Sequence, residues 1–567
     1  MHSIKYIMIF ISFFALISCS ENKIKTAFIN GKIYTVDQQQ PLAEAVVVVN
    51  NKIAFVGSNK EAEKFIDAST KVIDLNGKLM LPGFNDSHLH FTSGGYFLLG
   101  INLRKAKSKE EFISILKDYI IQQEGSSSPG TNRTSPELGR WVTGGRWDHE
   151  SWKVKKVPTK ELIDDFTSNT PVFVNRIDGH MGLANSKALE LAGITKDTPN
   201  PAGGLIMKDP DTGEPTGILK DNAMDLVFDI IPEKSLEDNI EAANHSFKEA
   251  RKFGITSVLE MTEPGELEAY ERIKMDGNFT CRIYSILPIN KYMELVNNNI
   301  KVHSGDEYIR RGGLKGYADG SLGAKTAWFF EPYENDTTYG LPMDIILNGE
   351  LSDWAFDADK NRLQICIHAI GNKANNQILN LFEAIEKDNS KWDRRFRIEH
   401  AQHLIPGDVN RFSEIGVIAS VQPYHAIDDG VWVRKRIGKE REMLTHMYKS
   451  YLDNNVVLAF GTDWPVAPIN PLYGLYAAVT RRTVDGKNPD GWIPEQKITI
   501  EEAIKAYTLD AAYASFEENI KGSIEVGKLA DMVVLSDDIL TIDPIKIWDV
   551  KVEMTIFDGK VVYDKEE

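Results

Sequence analysis

The chain has 567 residues, 42% of them hydrophobic, and a formal net charge of −17. That is enough for a large core and for more than one domain, although barrels of about 250 residues occur as single domains. The negative balance argues against nucleic acid as a partner, because phosphate backbones demand basic patches. Three cysteines, Cys19, Cys281 and Cys366, cannot make a disulfide framework. Cys281 and Cys366 lie in apolar, strand-like runs and read as small buried hydrophobes.

In chain order, Lys5 precedes an apolar stretch from Ile7 to Ile17. This stretch is too short to span a bilayer comfortably and has the proportions of a signal-peptide core. It ends in LISC, which resembles the bacterial lipoprotein signal. That resemblance implies a signal segment over residues 1–19, lipidation of Cys19, and a membrane anchor whose tether is the polar SENK. Ser20 points, by analogy, to the outer rather than the inner membrane of the cell envelope. No other run is apolar and long enough for a membrane helix.

Short β-rich segments follow: TAFINGKIYTVD, AEAVVVVNNKIAFVG and KVIDLNGKLMLPGF, punctuated by the Gly, Asn and Asp that hairpin turns require. The C-terminal KGSIEVGKLADMVVLSDD and VEMTIFDGKVVYDKEE look alike. Neither end has enough strands to bury a face alone. Together, 24–80 and 511–567 are expected to make one small β-sandwich. The middle, 81–510, would be inserted between its halves.

That middle alternates strand-like runs with amphipathic segments such as SLEDNIEAANHSFKEARKFG. The runs include 141–145, 171–175, 255–261, 281–287, 313–319, 363–369, 396–400, 416–422 and 456–463. Such alternation argues for an α/β fold, a (β/α)8 TIM-type barrel. With the segment before His88 there are more runs than eight, so some belong to insertions, and the second to fourth barrel strands stay unassigned.

In such a barrel, chemistry sits where strands end. His88 and His90, in LPGFNDSHLH, are one residue apart and point the same way from a strand, a spacing that can grip one metal ion. His368 ends LQICIHA, His400 ends FRIEH, Asp463 ends VVLAFGTD, and Lys315 lies in GLKGYADGS. Each alone reads equally well as a structural residue; the joint pattern does not.

The motifs LPGFNDSHLH, RIDGHMGLANSKAL, LKGYADGSLGAKTAWF, CIHAIGNKA, RIEHAQHL, SVQPYHA and FGTDWPV, in this order and closed by VGKLADMVVL, resemble the amidohydrolase superfamily. Within it they resemble the YtcJ-like "amidohydrolase 3" family, which includes N-substituted formamide deformylases. The resemblance runs from about Thr26 to Lys565 and implies a barrel with a terminal β-sandwich. It also implies metal ligands at His88, His90, Lys315, His368, His400 and Asp463. Lys315 matches a position carboxylated in binuclear members, so two Zn2+ ions bridged by a carboxylated lysine are the expected cofactor. If Lys315 instead pairs with a carboxylate such as Asp319, a mononuclear site remains.

The implied reaction is hydrolysis of a non-peptide carbon–nitrogen bond in a small amide, formamide or cyclic amide. A hydroxide on the metal would attack, with Asp463 as base and then acid. A deaminase, a lactonase and a catalytically silent binding lipoprotein are the alternatives. Asn372 stands where members often carry aspartate; if that acid orients a ligand in the family, the electrostatics are softer here. His180 and Arg176, in NRIDGH, are candidates for orienting substrate. Trp147 and Trp152, with Tyr317, Trp328, Tyr424 and Trp464, are candidates for aromatic walls. His403 and His425 are expected behind the ligands at most. His149, His245, His303 and His446 are expected at the surface. The oligomeric state stays open, a homodimer being one option.

Overall fold

The computed structural model describes residues 24–124, 134–135, 139–149, 152–176, 181–201, 204–221, 223–323 and 325–566. Cys19 and the signal segment lie outside the described residues, as does His180. None of the described helices is long and apolar enough to cross a membrane.

Eight strands run parallel and in sequence order: β1 (Phe84–Leu89), β2 (Ile255–Met261), β3 (Arg282–Pro288), β4 (Ile309–Tyr317), β5 (Gln364–Ala369), β6 (Arg397–His400), β7 (Ile418–Val421) and β8 (Leu458–Phe460). Every residue of β1 and β2 is buried, as expected of parallel strands covered on both faces. Leu259, Met261, Tyr284, Ile286, Cys366, Ile418 and Ala459 form an inner cluster. They alternate with residues such as Val258, Ile283, Ile365 and Ala419, which join the large core under the surrounding helices. This alternation separates the barrel interior from its outer layer.

β8 and β1 complete the ring through side chains and loops rather than a regular ladder. Asp463 N donates to His88 O at 2.7 Å. Thr462 donates to the Asp86 carboxylate through N at 2.9 Å and through Oγ1 at 2.6 Å. The approach is so close that a Cβ at Gly461 would fall 2.5 Å from His88 N, so only glycine fits there.

The outer helices are defined by their ends and faces. Leu236–Lys252 starts at Ser235, which forms a reciprocal capping box with Asp238, and buries Ala242, Ala243, Phe247 and Ala250. Asn372–Asp388 buries Ala374, Ile378, Leu379, Phe382 and Ile385 along one face.

The terminal sandwich pairs a four-stranded N-terminal sheet with a six-stranded sheet drawn from both ends. Leu79–Pro82 runs antiparallel to Met532–Leu535, which joins the two halves of the chain. Phe28, Val46 and Ile53 pack with Met532, Val534 and Ile556 between the sheets.

A further six-stranded sheet lies between β1 and β2 in sequence, in the order Gly204–Lys208, Pro215–Asp221, Met181–Ala184, Val172–Arg176, Val142–Trp147 and Ile101–Asn102. It has its own packing clusters, one with Leu103, Phe112 and Trp147, the other with Trp141, Phe173 and Leu219. The surplus strands of the sequence, 141–145 and 171–175, belong here. The second to fourth barrel strands are 255–261, 282–288 and 309–317.

Candidate metal centre

The barrel brings six of the sequence-derived residues to one rim. His88 and His90 come from the end of β1, Lys315 from β4, His368 from β5, His400 from β6, and Asp463 from the turn after β8; all line one cavity of about 390 Å³. Ring centroids lie 4.5 Å apart for His368 and His400, 4.9 Å for His88 and His400, and 5.9 Å for His88 and His90. Asp463 Oδ1 is 3.7 Å from Nε2 of both His88 and His90. Ligand atoms of His88, His400 and Asp463 fall within 4.8 Å of one another.

The backbone bends to make this possible. His400 has φ 71° and Asp463 φ 58°, left-handed values rare for non-glycine residues and typical of strained functional sites.

Partners set the ring orientations. His88 Nδ1 is 2.6 Å from Glu399 Oε2, and His400 Nδ1 is 2.7 Å from Gln422 Oε1. Both rings are thereby turned with Nε2 to the cluster, the arrangement by which an acceptor behind a histidine tunes a metal ligand. His368 instead spends Nε2 on Gly320 O at 3.2 Å, which leaves Nδ1. Glu399 is itself held by Ser420 Oγ at 2.6 Å and by Arg397 Nε at 2.8 Å. Glu399, Gln422 and Arg397 escape a search for ligands by residue type. Their signal is position, since Glu399 directly precedes His400.

Burial decides the charge states. It lowers His90 to about 4 and His368 to about 3, in both cases with help from the Lys315 charge. It holds His88 and His400 well below the ordinary imidazole value. The imidazoles are therefore neutral, the form that binds metal. Burial also pushes the Asp463 carboxyl up to about 7 against the pull of Lys315. It brings the Lys315 ammonium down to about 8 against Glu399 and Asp463. Lys315 Nζ is buried with no hydrogen-bond partner and lies 4.9 Å from the Tyr317 ring centroid.

The alternative pairing of Lys315 with Asp319 is not what the structure contains. The Asp319 carboxylate accepts from the backbone N–H groups of Trp328, Ile370 and Gly371 at 2.7–3.0 Å. It pins the loop behind His368 instead. Asn372 accepts from Phe330 N at 3.0 Å.

Other residues fall elsewhere than read from the sequence. Trp147 is fully buried in the inserted sheet, its indole N–H donating to Val174 O at 2.8 Å; it packs a core and does not wall the cleft. Trp152 is buried in the same cluster. Arg176 lies in the inserted sheet beside Asp148, at 3.5 Å, and does not line the cleft. Trp464 is 4% exposed and packs on Phe91. Of the aromatic candidates, Tyr317 lines the cleft, joined by Trp432. His446 and His149 are buried rather than at the surface, whereas His245 and His303 are exposed.

His425 stands in front. Its Nε2 is 3.7 Å from Asp463 Oδ2 and has no hydrogen-bond partner, and its ring stacks on His400 at 6.1 Å and 12°. His403 is turned away to Thr445 Oγ1 at 2.8 Å.

A family model described as amidohydrolase family matches residues 71–563. Protein LONG AFTER FAR-RED 3 of Arabidopsis thaliana is 38% identical over 523 residues, 89% of this chain and 86% of that protein. Putative amidohydrolase YtcJ of Bacillus subtilis is 31% identical over 552 residues, 96% and 100% of the two chains. N-substituted formamide deformylase of Arthrobacter pascens is 26% identical over 551 residues, 95% and 98%. Among solved structures, an uncharacterized metal-dependent hydrolase from Pyrococcus horikoshii superposes with a TM-score of 0.76 at 28% identity, covering 92% of this chain and 99% of that one. With the neutral histidine cluster and its buried carboxylate, these matches make the chain a member of the amidohydrolase family and a hydrolase of that superfamily built for a divalent metal.

Proposed function

We propose that the chain hydrolyses a non-peptide carbon–nitrogen bond in a small amide, formamide or cyclic amide. The observation that carries this reading is Lys315 Nζ, buried without a hydrogen-bond partner among the described residues, beside neutral histidines and Asp463. An unpaired buried ammonium is costly. Carboxylation by CO2 would turn it into an anion with two ligand oxygens, which fits the empty hydrogen-bonding capacity around it. His88, His90, the carboxylated Lys315, His368, His400 and Asp463 would then hold two divalent ions, zinc by the softness and number of nitrogen ligands.

Bound ions of this kind lower the pKa of water and polarise a carbonyl. The rest falls to the chain. The Asp463 carboxylate, raised by burial toward neutrality, can hold a proton at its Oδ atoms and release it to a departing nitrogen. Tyr317 and Trp432 present apolar surface to the substrate. The name of the formamide deformylase relative supports an amide or formamide rather than an ester. The proposal includes a lipid anchor at Cys19 at the outer membrane. Loss of membrane-fraction protein in a Cys19→Ser variant is its expected sign.

The test is metal content per chain, measured on protein beginning at Ser20 beside Lys315→Ala, with turnover on an amide and formamide panel. Two equivalents that fall sharply in the variant, with turnover, support the reading. One equivalent unaffected by the substitution removes Lys315 and moves a mononuclear deaminase ahead. Metal without turnover on any substrate makes the protein a binder.

A further inference from the structure

Of the four histidines that are candidate ligands, three have their rings turned by a hydrogen bond: His88 by Glu399, His400 by Gln422 and His368 by Gly320 O. Among the described residues the His90 ring has no such bond. Its Nε2 nevertheless stands 3.7 Å from Asp463 Oδ1, as that of His88 does. The direction of this imidazole therefore has to come from the backbone that carries it.

That backbone is held from several sides. His90 N donates to Trp464 O at 2.8 Å, in the turn that carries Asp463, and Gly94 N donates to His90 O at 2.8 Å. His90 is the N-cap of the helix Phe91–Leu99, with φ −112° and ψ 80°, and its side chain caps nothing. The first N–H groups of a helix lack partners within it. Here they find one on barrel strand β2: Glu260 Oε2 accepts from Phe91 N at 2.5 Å, and the same carboxyl accepts from Thr92 N. The helix is also wedged in place. A Cβ at Gly94 would fall 2.0 Å from the Trp464 ring, and one at Gly95 1.9 Å from Ala242 O.

Glu260 is fully buried. By the two-residue period it shares the outer face of β2 with Val258, while Leu259 and Met261 face the barrel interior. It does not line the cleft. A carboxyl in such a place is costly unless its oxygens are satisfied, and they are. Tyr270 OH donates to Glu260 Oε1 at 3.1 Å and is itself 2.6 Å from Thr92 Oγ1. Glu266, also buried, accepts from Glu263 N at 2.8 Å and is hydrogen-bonded side chain to side chain with Glu260. Two carboxyl groups can share a direct hydrogen bond only if one of them carries a proton, so the pair holds one. Burial, which pushes both groups up, favours that proton.

We propose that Glu260, supported by Tyr270 and Glu266, is the positioning residue for His90: it fixes the helix start that follows this ligand, and with it the direction of the imidazole. The inference rests on His90 as a metal ligand. It gives β2, which brings no ligand to the rim, a part in building the centre. A ligand held through its peptide bonds rather than its ring differs from His88, whose partner touches the imidazole itself.

The test is zinc affinity, read by competition with a chelator, beside the visible absorption of the cobalt-loaded protein, which reports ligand geometry. Glu260→Met is expected to weaken zinc about ten-fold and to shift the cobalt spectrum. Glu260→Gln keeps an acceptor for Phe91 N and a donor for Glu266, so it should stay within about two-fold of the parent protein. If Glu260→Met fails to fold, Tyr270→Phe carries the test: it removes one hydrogen bond from the same carboxyl and should weaken zinc about three-fold or more, with a spectral shift. Arg282→Met, which disturbs a buried cluster at the other end of the barrel, should leave affinity and spectrum unchanged. Zinc affinity and a cobalt spectrum that stay as they were in Glu260→Met and Tyr270→Phe overturn the proposal. A Glu260→Gln variant as damaged as Glu260→Met also overturns it, because charge and not hydrogen-bond geometry is then at work. His90→Asn separates the two possible failures. If it leaves zinc and cobalt binding unaltered, the ligand reading fails and the proposal falls with it; if it alters them while the Glu260 and Tyr270 variants do not, only the positioning inference fails.

Discussion

Two buried charged clusters in this molecule face opposite demands. Where the barrel meets the terminal sandwich, Arg282 is 1% exposed, yet its guanidinium is hydrogen-bonded through all three nitrogens. It donates to Asp531 at 2.6 and 3.0 Å, to Asp558 at 3.1 Å and to Glu307 O at 2.8 Å. These carboxylates hold the guanidinium above its ordinary value despite burial. At the rim, Lys315 is 4% exposed and its Nζ has no hydrogen-bond partner among the described residues, and burial lowers it despite Glu399 and Asp463. One is neutralised inside the protein and is structural; the other stands at the rim of the cleft among the candidate metal ligands.

The comparison can be broken most sharply at Asp463. Asp463→Asn keeps the shape and removes the proton carrier; turnover of a good amide substrate is expected to fall about 10³–10⁴-fold with the melting temperature nearly unchanged. A loss under ten-fold would take Asp463 out of proton transfer. Next is Arg282→Met, which strands Asp531 and Asp558 and should cost about 3–5 kcal/mol in denaturant unfolding. Lys315→Met should do the opposite to metal-free protein, leaving stability equal or raised by about 1 kcal/mol, because it removes an unpaired cation. A large destabilisation there would mean that the lysine has a structural partner after all.

Glu399→Gln sharpens the picture at smaller scale. It replaces the acceptor behind His88 with a neutral one, and metal affinity, read by competition with a chelator, should weaken about 10–100-fold. The smallest effect concerns pH. His446 is buried against Tyr448 OH at 3.3 Å and Asp429 at 3.4 Å; burial, then the Arg481 charge, holds it well below the ordinary imidazole value. The unfolded chain therefore binds the extra proton first, so its contribution is present above pH ~6.5 and is lost as pH falls below it, at about 1.4 kcal/mol per pH unit. His446→Gln should flatten the acid limb of the stability curve by up to one proton.

Much of the site was legible because strand ends in a parallel barrel point one way. His88 and His90 share a face by the two-residue period, and His368, His400 and Asp463 each close an apolar run. The barrel and the two-ended sandwich followed from alternation and from like turn chemistry at both termini. What stayed hidden depended on backbone detail and on contacts across the sequence. Trp147 packs in a core, but an aromatic residue in a glycine-rich strand fits a core as well as a wall by sequence, and only the bulge between Gly145 and Trp147 decides which neighbour faces out. His446 lacks any periodic context of its own, and Asp429 and Tyr448 bury it through tertiary packing.

The ring's last closure has a consequence for how the protein comes into being. Thr462 and Asp86, which hydrogen-bond across the seam, stand 376 residues apart, and Asn85 reaches Thr508 O across 423. The strand before β1, Leu79–Pro82, pairs with Lys32–Tyr34 on one side and with Met532–Leu535 on the other, so that its second edge is covered only late in the chain. A ribosome must therefore deliver the first 463 of 567 residues before His88 and His90 can meet Asp463. During synthesis β1 waits as an open edge with its inserted sheet already able to pack, and long-range pairings of this kind are slow and exposed to aggregation. A chain cut short anywhere before β8 lacks Asp463 and the seam that holds it. Truncated products would thus be left without the complete hydrolytic centre.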